Sequence, residues 1–329
     1  MITTDKIVTI FGGSGFVGRY IAQRMAKQGW RVRVAVRRPN EAMFVRPYGV
    51  VGQVEPILAN IRDDASTRAA IEGSDAVINC VGILFEDSRQ SFDAVQTEGA
   101  ERIAGLSAEA GVQTFVHLSA IGSDAESDSD YARTKAEGEA AVLRHMPNAA
   151  ILRPSIVFGN EDQFFNRFAD MARFSPFMPL VGADTVFQPV FVDDVAAAAE
   201  RAVVEGHSGV FELGGPDVAP FRRLIEEMLH IVRRNRVILP VPSAIGHVMG
   251  AVFEMGEAIT FGMVPNRVLT RDQVRQLGRD NVVSGAYPGF EALGITPRAM
   301  DGILESYLYS YRPYGQYTEL TESAEDLRT

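Results

Sequence analysis

Short β-branched and aromatic runs alternate with stretches of helical apolar spacing through the first 155 residues. "KIVTIF" is a strand candidate that ends at a glycine cluster. "GFVGRYIAQRMAKQG" follows, with Val17, Ile21 and Met25 on one helical face and Gly29 as a stop. "RVRVAVR" alternates like a strand, and "QVEPILA" is another, weakened in its middle by Pro56. "DDASTRAAIEG" reads as a capped helix and "DAVINCVG" as a buried strand. Residues 91–110 read as a helix, "QTFVHLS" as a strand, 131–146 as a helix and "AAILRPSIVFG" as a sixth strand. Strand and helix repeating at intervals of about 25 residues predict an α/β fold, a doubly wound parallel sheet with helices on both faces. Such sheets bind ligands at the carboxyl ends of their strands.

Beyond residue 155 the rhythm changes. Pro176, Pro179, Pro189, Pro216, Pro220, Pro240 and Pro242 cut the chain into shorter pieces. The expected organisation is a nucleotide-binding domain over 1–155 and a smaller C-terminal lobe over 156–312, with 186–204 returning to the first domain. A polar, acidic tail covers 313–329. Residues 243–262 are apolar apart from His247, Glu254 and Glu257, and the basic run Arg233-Arg234-Asn-Arg236 precedes them. This stretch reads either as a core helix of the second lobe or as a helix facing a partner or a membrane surface, with lipid headgroups meeting residues 230–262.

Composition narrows the function classes. A net charge of −10 argues against nucleic acid as a partner. Cys80 is the single cysteine, which excludes a disulfide framework and a cysteine-based metal site within the chain. The scattered histidines leave no metal site to expect. The N-terminus lacks a signal-peptide pattern, and no run of about 18 uncharged apolar residues is present, so a peripheral rather than spanning protein is expected.

"FGGSGFVG" carries Gly12-x-x-Gly15-x-x-Gly18, placed after a strand and at the opening of a helix, where the motif has physical meaning. Gly12 would make the tight turn, Gly15 would admit a pyrophosphate and Gly18 would let the helix close on the sheet. Gly13, Ser14, Phe16 and Val17 complete the loop, and its helix N-terminus offers free N–H groups. The fold is therefore expected to be Rossmann-type. At the end of the second strand an acid would hold a ribose hydroxyl. Arg37-Arg38 stand there instead, which predicts a 2′-phosphate and the cofactor NADP(H), held as NADPH. The plainer alternative is a solvated arginine pair. Asn60 and Ile61 end the third strand and Val81 and Gly82 the fourth, where an adenine and the cofactor backbone would lie. Strand-end packing explains each of these equally well.

Three features together, the glycine loop, "DAVINCVG" and Tyr131-x-x-x-Lys135, resemble the short-chain dehydrogenase/reductase superfamily in its extended or atypical form. The resemblance covers about residues 5–310. "FQPVFVDDVAAA" and "GVFELGGPD" are similar to the second-lobe signatures of that group. The resemblance implies a tyrosine acid/base, a lysine that lowers its pKa and holds the nicotinamide ribose, and a serine that polarises the substrate. A neighbouring ammonium does favour phenolate, and a base near neutrality works best. The serine is hard to place. Ser119 comes early, Ile121 stands where the polar group belongs, and Ser123 lies beyond a glycine. Gln96 sits where the family often has a structural asparagine. The site reads as degenerate, with Ser119, Tyr131 and Lys135 binding cofactor and no secure catalytic residue. Arg153-Pro154 would face the nicotinamide pocket.

"ILRPSIVFGNEDQFFNRFADMARFSPFMPLVGADTVFQPVFVDDVAAA" has a narrower resemblance, to the NADPH-binding accessory subunit family of respiratory complex I. That resemblance implies a subunit of the peripheral arm near the membrane that holds NADPH without turnover. Its partners would be the other subunits, and its place the cytoplasmic side of a bacterial inner membrane. Two readings stand beside it: an active NADP-dependent reductase or epimerase on a quinone, sugar or lipid, and a redox-sensing NADP(H)-binding module. Asp193-Asp194 read as helix-capping carboxylates. Glu161 and Asp162, with Phe164, Phe165 and Phe168, read as a pocket rim or partner surface, although aromatics so spaced are more often core. Trp30 reads as packing.

Overall fold

The computed structural model describes residues 4–86, 90–259 and 270–317. The side chains of Glu254 and Glu257, and residues 260–262 and 318–329, lie outside this described part.

Seven parallel strands form the central sheet: β1 (Ile7–Phe11), β2 (Arg31–Val36), β3 (Val54–Leu58), β4 (Ala76–Asn79), β5 (Thr114–Leu118), β6 (Ala150–Pro154) and β7 (Gly209–Leu213). Their spatial order is β7-β6-β5-β4-β1-β2-β3. Chain order reverses direction between β1 and β4, which opens a crevice at the carboxyl ends of those two strands. Pro56 pairs with Val34 inside β3 without harm, because β3 is an edge strand and needs no donor on its outer side. The sixth strand is shorter than the sequence pattern indicates. It stops at Pro154, and Val157–Phe158 pairs instead with Val190–Phe191. Gly209–Leu213, grouped by sequence with second-lobe signatures, is the other edge strand of the sheet.

The inner strands β1, β4, β5 and β6 are buried on both faces, as their near-continuous apolar runs require, whereas β2 and the edge strand β3 are partly exposed. On one face Val8 and Ile10 pack against Ile21 and Met25 of α1 (Phe16–Lys27). On the other, Phe11, Val77 and Phe115 meet α2 (Asp64–Ile71), α3 (Glu98–Glu109) and α4 (Asp130–His145). The helix expected over 91–110 begins with a π turn, Asp93–Thr97. The second lobe has its own core, in which α5 (Phe165–Phe174) contributes Phe165 and Ala169. Helix α6 (Val192–Glu205) covers the central sheet beside α1 through Val195, Ala196 and Ala199. Helix α7 (Phe221–Ile231) returns to the second core with Leu224 and Met228. Among the described residues there follow α8 (Ser243–Ile259), α9 (Arg271–Gln276) and α10 (Ile303–Leu308).

The phenylalanines after Glu161 are core and not rim. Phe164 and Phe168 each lie 5.4 Å from the ring of Phe221. Asp162 is buried beneath them, where it accepts the Tyr307 hydroxyl at 2.6 Å and the backbone N–H groups of Phe164 and Asn166. Asp193 and Asp194 do occupy the first turn of α6, but no side chain caps that helix. Their carboxylates bind Arg24 and Arg298 instead.

Candidate functional site

The β1–α1 loop is built so that a side chain at Gly18 would collide with backbone and one at Gly12 or Gly15 would be crowded by it. Gly12 has φ +74°, and a Cβ there would lie 3.2 Å from the carbonyl of Cys80 and 3.3 Å from the nitrogen of Val81. A Cβ on Gly18 would drive into the carbonyl oxygen of Gly12. One on Gly15 would crowd the same oxygen at 3.1 Å. Gly13 is held against β1 by its N–H to the Ile10 carbonyl. No side chain caps α1 at Gly15, which leaves the first N–H groups of the helix, those of Phe16, Val17 and Gly18, facing the crevice. Such a cradle fits the pyrophosphate of a dinucleotide by geometry and by dipole. Arg19, overlooked in the sequence, braces the loop by donating to the carbonyls of Ser14 and Gly15 at 3.2 and 3.3 Å. Its place directly after Gly18 was the available signal.

At the end of β2, Arg37 and Arg38 diverge. Arg37 is exposed and donates to the Gln90 side chain at 3.0 Å across the crevice. Arg38 turns back to Glu41 at 3.1 Å. Asn60 is occupied with its own turn: its side chain accepts from the N–H of Arg62, and its carbonyl accepts the Thr67 hydroxyl. Ile61 packs toward Gly99, and its carbonyl accepts from Arg102 at 2.9 Å. Pro154 is buried at the end of β6, where its carbonyl takes the N–H of Ile121 at 3.0 Å. The structure thus gathers the glycine loop, Val81, Gly82, Ser119, Tyr131 and Lys135 about one crevice. Arg38 pairs with Glu41, and Asn60, Ile61 and Pro154 stand at their strand ends with the local contacts just given.

Lys135 is buried. Its ammonium donates to the Leu118 carbonyl at 3.1 Å and would lie 3.3 Å from a side chain at Gly82. Burial holds its pKa down to about 8. Tyr131, one turn earlier on α4, is half-buried with its ring edge-on to Phe92 at 5.8 Å. Burial, seconded by the charge of Asp272, pushes the phenol up to about 12. That is the wrong direction for a base, and it departs from the expectation of a lysine-lowered tyrosine. Gln96 acts as a strut, donating to the Ile83 carbonyl at 2.9 Å and meeting Thr134 of α4 at 3.5 Å.

Ser119 follows β5 and is buried. Its hydroxyl donates to the carboxylate of Glu139 and meets the Ser123 hydroxyl at 3.0 Å. Ser123 in turn donates to the Ala120 carbonyl at 2.8 Å. Arg153 pins Glu139 in a fork, with Nε at 2.9 Å and Nη2 at 2.5 Å, and lies over the Tyr287 ring at 4.9 Å. Arg153 is therefore part of the support behind Ser119. A hydroxyl has one proton to give. With both serine protons committed, neither is aimed at a substrate oxygen. Ile121 is buried, and only its backbone is in use. Glu139 went unnoticed in the sequence, although Tyr131, Lys135 and Glu139 recur at the helical spacing of one face of α4.

A glycine cradle at the switch point of a parallel sheet, with a tyrosine–lysine pair across from it, defines a nicotinamide-dinucleotide protein. The chain belongs to the NAD dependent epimerase/dehydratase family, whose model matches residues 8–214. Among named proteins it is similar to NADH dehydrogenase (ubiquinone) 1 alpha subcomplex subunit 9, mitochondrial, of Arabidopsis thaliana. The two are 33% identical over 316 residues, covering 94% of this chain and 79% of that one. The mouse protein of the same name is 31% identical over 98% of this chain and 85% of its own. Among solved structures the fold matches the NADPH-dependent quinone oxidoreductase QOR2 of Escherichia coli in complex with NADPH. The TM-score is 0.69 at 17% identity, over 92% of this chain and 98% of that one.

Proposed function

We propose that this protein is an accessory subunit of a respiratory complex I, on the peripheral arm near the membrane, that holds NADP(H) without turning it over. The observation that carries this reading is the similarity to named complex I subunits along nearly the whole chain, which includes the second lobe as well as the nucleotide-binding part. The cofactor contacts in this reading come from the Gly12–Gly18 loop, Val81, Gly82, Ser119, Tyr131 and Lys135. Arg37 takes the 2′-phosphate, supported by its exposure at the end of β2, with no acid in its place. Absence of turnover is supported by the commitment of Ser119 to Glu139 and by the raised phenol of Tyr131. A carbonyl reduction needs both a proton donor and an oxyanion partner aimed at the reacting group. The expected site of action is the cytoplasmic side of a bacterial inner membrane, with residues 230–262 turned to lipid headgroups. No helix among the described residues is long and apolar enough to cross a membrane.

The test is native isolation from gently solubilised membranes, followed by identification of companions and mass analysis of the extracted nucleotide. NADPH, and co-purifying complex I subunits, are expected. Arg37→Glu should weaken NADP(H) by about 1.5–3 kcal/mol, the scale of a charge-assisted hydrogen bond with added repulsion. NAD(H) as the main bound species would overturn the cofactor assignment. Isolation as a lone protein would overturn the complex I assignment.

A further inference from the structure

An open cavity of about 810 Å³ lies where α7 ends and the chain turns into the strand Val237–Val241. Its lining is basic in a chain whose net charge is −10. Arg222, Arg234 and Arg236 contribute guanidinium groups, with Arg233, Arg312 and His230 beside them. The two acids of the lining are each matched to an arginine: Glu305 to Arg312 at 2.6 Å, and Glu226 to Arg223 at 3.8 Å. Among the described residues no carboxylate lies within ion-pair distance of Arg222, Arg234 or Arg236. Backbone carbonyls set two of these side chains in place. Arg234 donates from Nε to Tyr311 at 3.0 Å, and Arg236 from Nε to Ala172 at 2.8 Å. Burial and the charges of Arg236 and Arg173 hold the pKa of Arg234 below the usual arginine range.

Beside this positive hollow the surface is apolar. The strand Val237–Val241 pairs in parallel with Phe177–Val181, in a register that sets Val237 beside Phe177 and Leu239 beside Pro179. Their alternate partners, Met178 and Leu180, point into the second core. Phe177, Val237 and Leu239 therefore stand on the outer face, 52%, 55% and 43% exposed. Phe174, at the end of α5 where Arg236 anchors, is 80% exposed. The apolar surface continues along α8, where Ile245, Val248 and Val252 recur on one helical face and are exposed.

We propose that this face is a docking surface for an anionic phospholipid bilayer, with the cavity receiving a lipid phosphate and the outer apolar side chains entering the headgroup boundary. Charge complementarity selects the occupant. An acidic protein is repelled by an anionic bilayer unless it presents such a face, and clustered arginines bound by apolar side chains are the pattern that holds proteins at the lipid interface. Arginine's planar fork also suits phosphate. The inference rests on the reading that residues 230–262 meet lipid headgroups and names the lipid class and the side chains. It stands apart from the complex I assignment, because the isolated chain is enough to test it.

The experiment is co-sedimentation of the full chain with phosphatidylcholine vesicles, with and without phosphatidylglycerol. Binding is expected only to the anionic vesicles, and it should weaken as salt rises. Arg234→Gln with Arg236→Gln should reduce partitioning about 30-fold. Arg234→Lys with Arg236→Lys, which keeps the charge, should stay within about threefold of the parent. Arg222→Gln removes a guanidinium that holds no carbonyl and should lower binding by about fivefold with no change in melting temperature. Phe177→Ser with Val237→Ser should abolish the fraction that resists high salt. Equal binding to neutral vesicles, or glutamine variants that bind like the parent, would overturn the proposal. So would failure to bind any vesicle. In that last case, protection of the arginines by inorganic phosphate would mark a soluble anion, and loss of glutamine variants from the native assembly would mark a protein partner.

Discussion

Tyr131 and Lys135 keep a spacing that serves redox chemistry, while their surroundings work against it. A lysine promotes a tyrosine when its ammonium faces the phenol oxygen. Here the ammonium is spent on the Leu118 carbonyl, and the phenol oxygen makes no hydrogen bond among the described residues. Asp272 adds a negative charge that opposes phenolate. The consequence for pH follows from the raised pKa. An unfolded tyrosine ionises near pH 10, whereas Tyr131 in the folded protein holds its proton to about 12. Its contribution to stability is thus complete below pH 10 and is lost as pH rises from there through 12. Phenolate absorbance of the parent minus that of Tyr131→Phe should show no titration below pH 10. A difference titrating near neutrality would restore Tyr131 as a working base. Under the proposed function Tyr131→Phe should also leave the nucleotide in place, because the glycine cradle and Arg37 would hold it elsewhere.

At the scale of elements, the short helix α9 explains why that carboxylate is there. Asp272 accepts the N–H of Asp130 at 2.8 Å and the Ser129 hydroxyl at 3.1 Å, so a residue from the second lobe helps to cap the helix that carries Tyr131 and Lys135. Gln273 reaches the carbonyl of Leu84 on the other side of the crevice. Asp272→Ala should therefore destabilise the protein by about 1 kcal/mol, the usual cost of a lost cap, with faster amide exchange over the first turn of α4. Unchanged exchange there would show that Ser129 suffices as the cap. Nothing in the sequence signals this contact, because the two residues are 142 positions apart and neither stands in a motif. The strands and helices of the first domain were legible because period-2 and period-3.6 patterns are local properties. The glycine loop was legible for the same reason, since its constraint lies within one turn. What escaped was non-local. Asp193 and Asp194 looked like caps at the start of α6, whereas their partners come from α1 and from Arg298. The commitment of Ser119 became visible only when α4 delivered Glu139 beside it.

At the scale of the whole molecule, those same carboxylates join the lobes. Arg24 on α1 binds Asp193 at 2.7 Å and Glu200 at 2.9 Å. Arg298, from the segment leading into α10, binds Asp193 and Asp194 at 2.6 Å each. Asp194 is buried and also accepts the backbone N–H of Arg298 at 2.7 Å. Partners hold the carboxylate of Asp193 below its ordinary pKa. Removing Asp194 takes the acceptor from the backbone N–H and Nε of Arg298 and leaves its guanidinium with Asp193 alone. That costs more than the exposed pairs elsewhere on the surface, which contribute little. Asp194→Ala should lose about 2–3 kcal/mol of stability. The double variant with Arg298→Ala should lose less than the sum of the single changes, because each deletes the same contact. Thermal unfolding of the four proteins measures the coupling. Strict additivity would mean that the pair makes no net contribution. The glycine cradle lies at the opposite end of α1, so the rise in melting temperature that the proposed function expects on adding NADPH should persist in Asp194→Ala. Loss of that rise would show that the lobe junction shapes the cofactor site as well as bracing it.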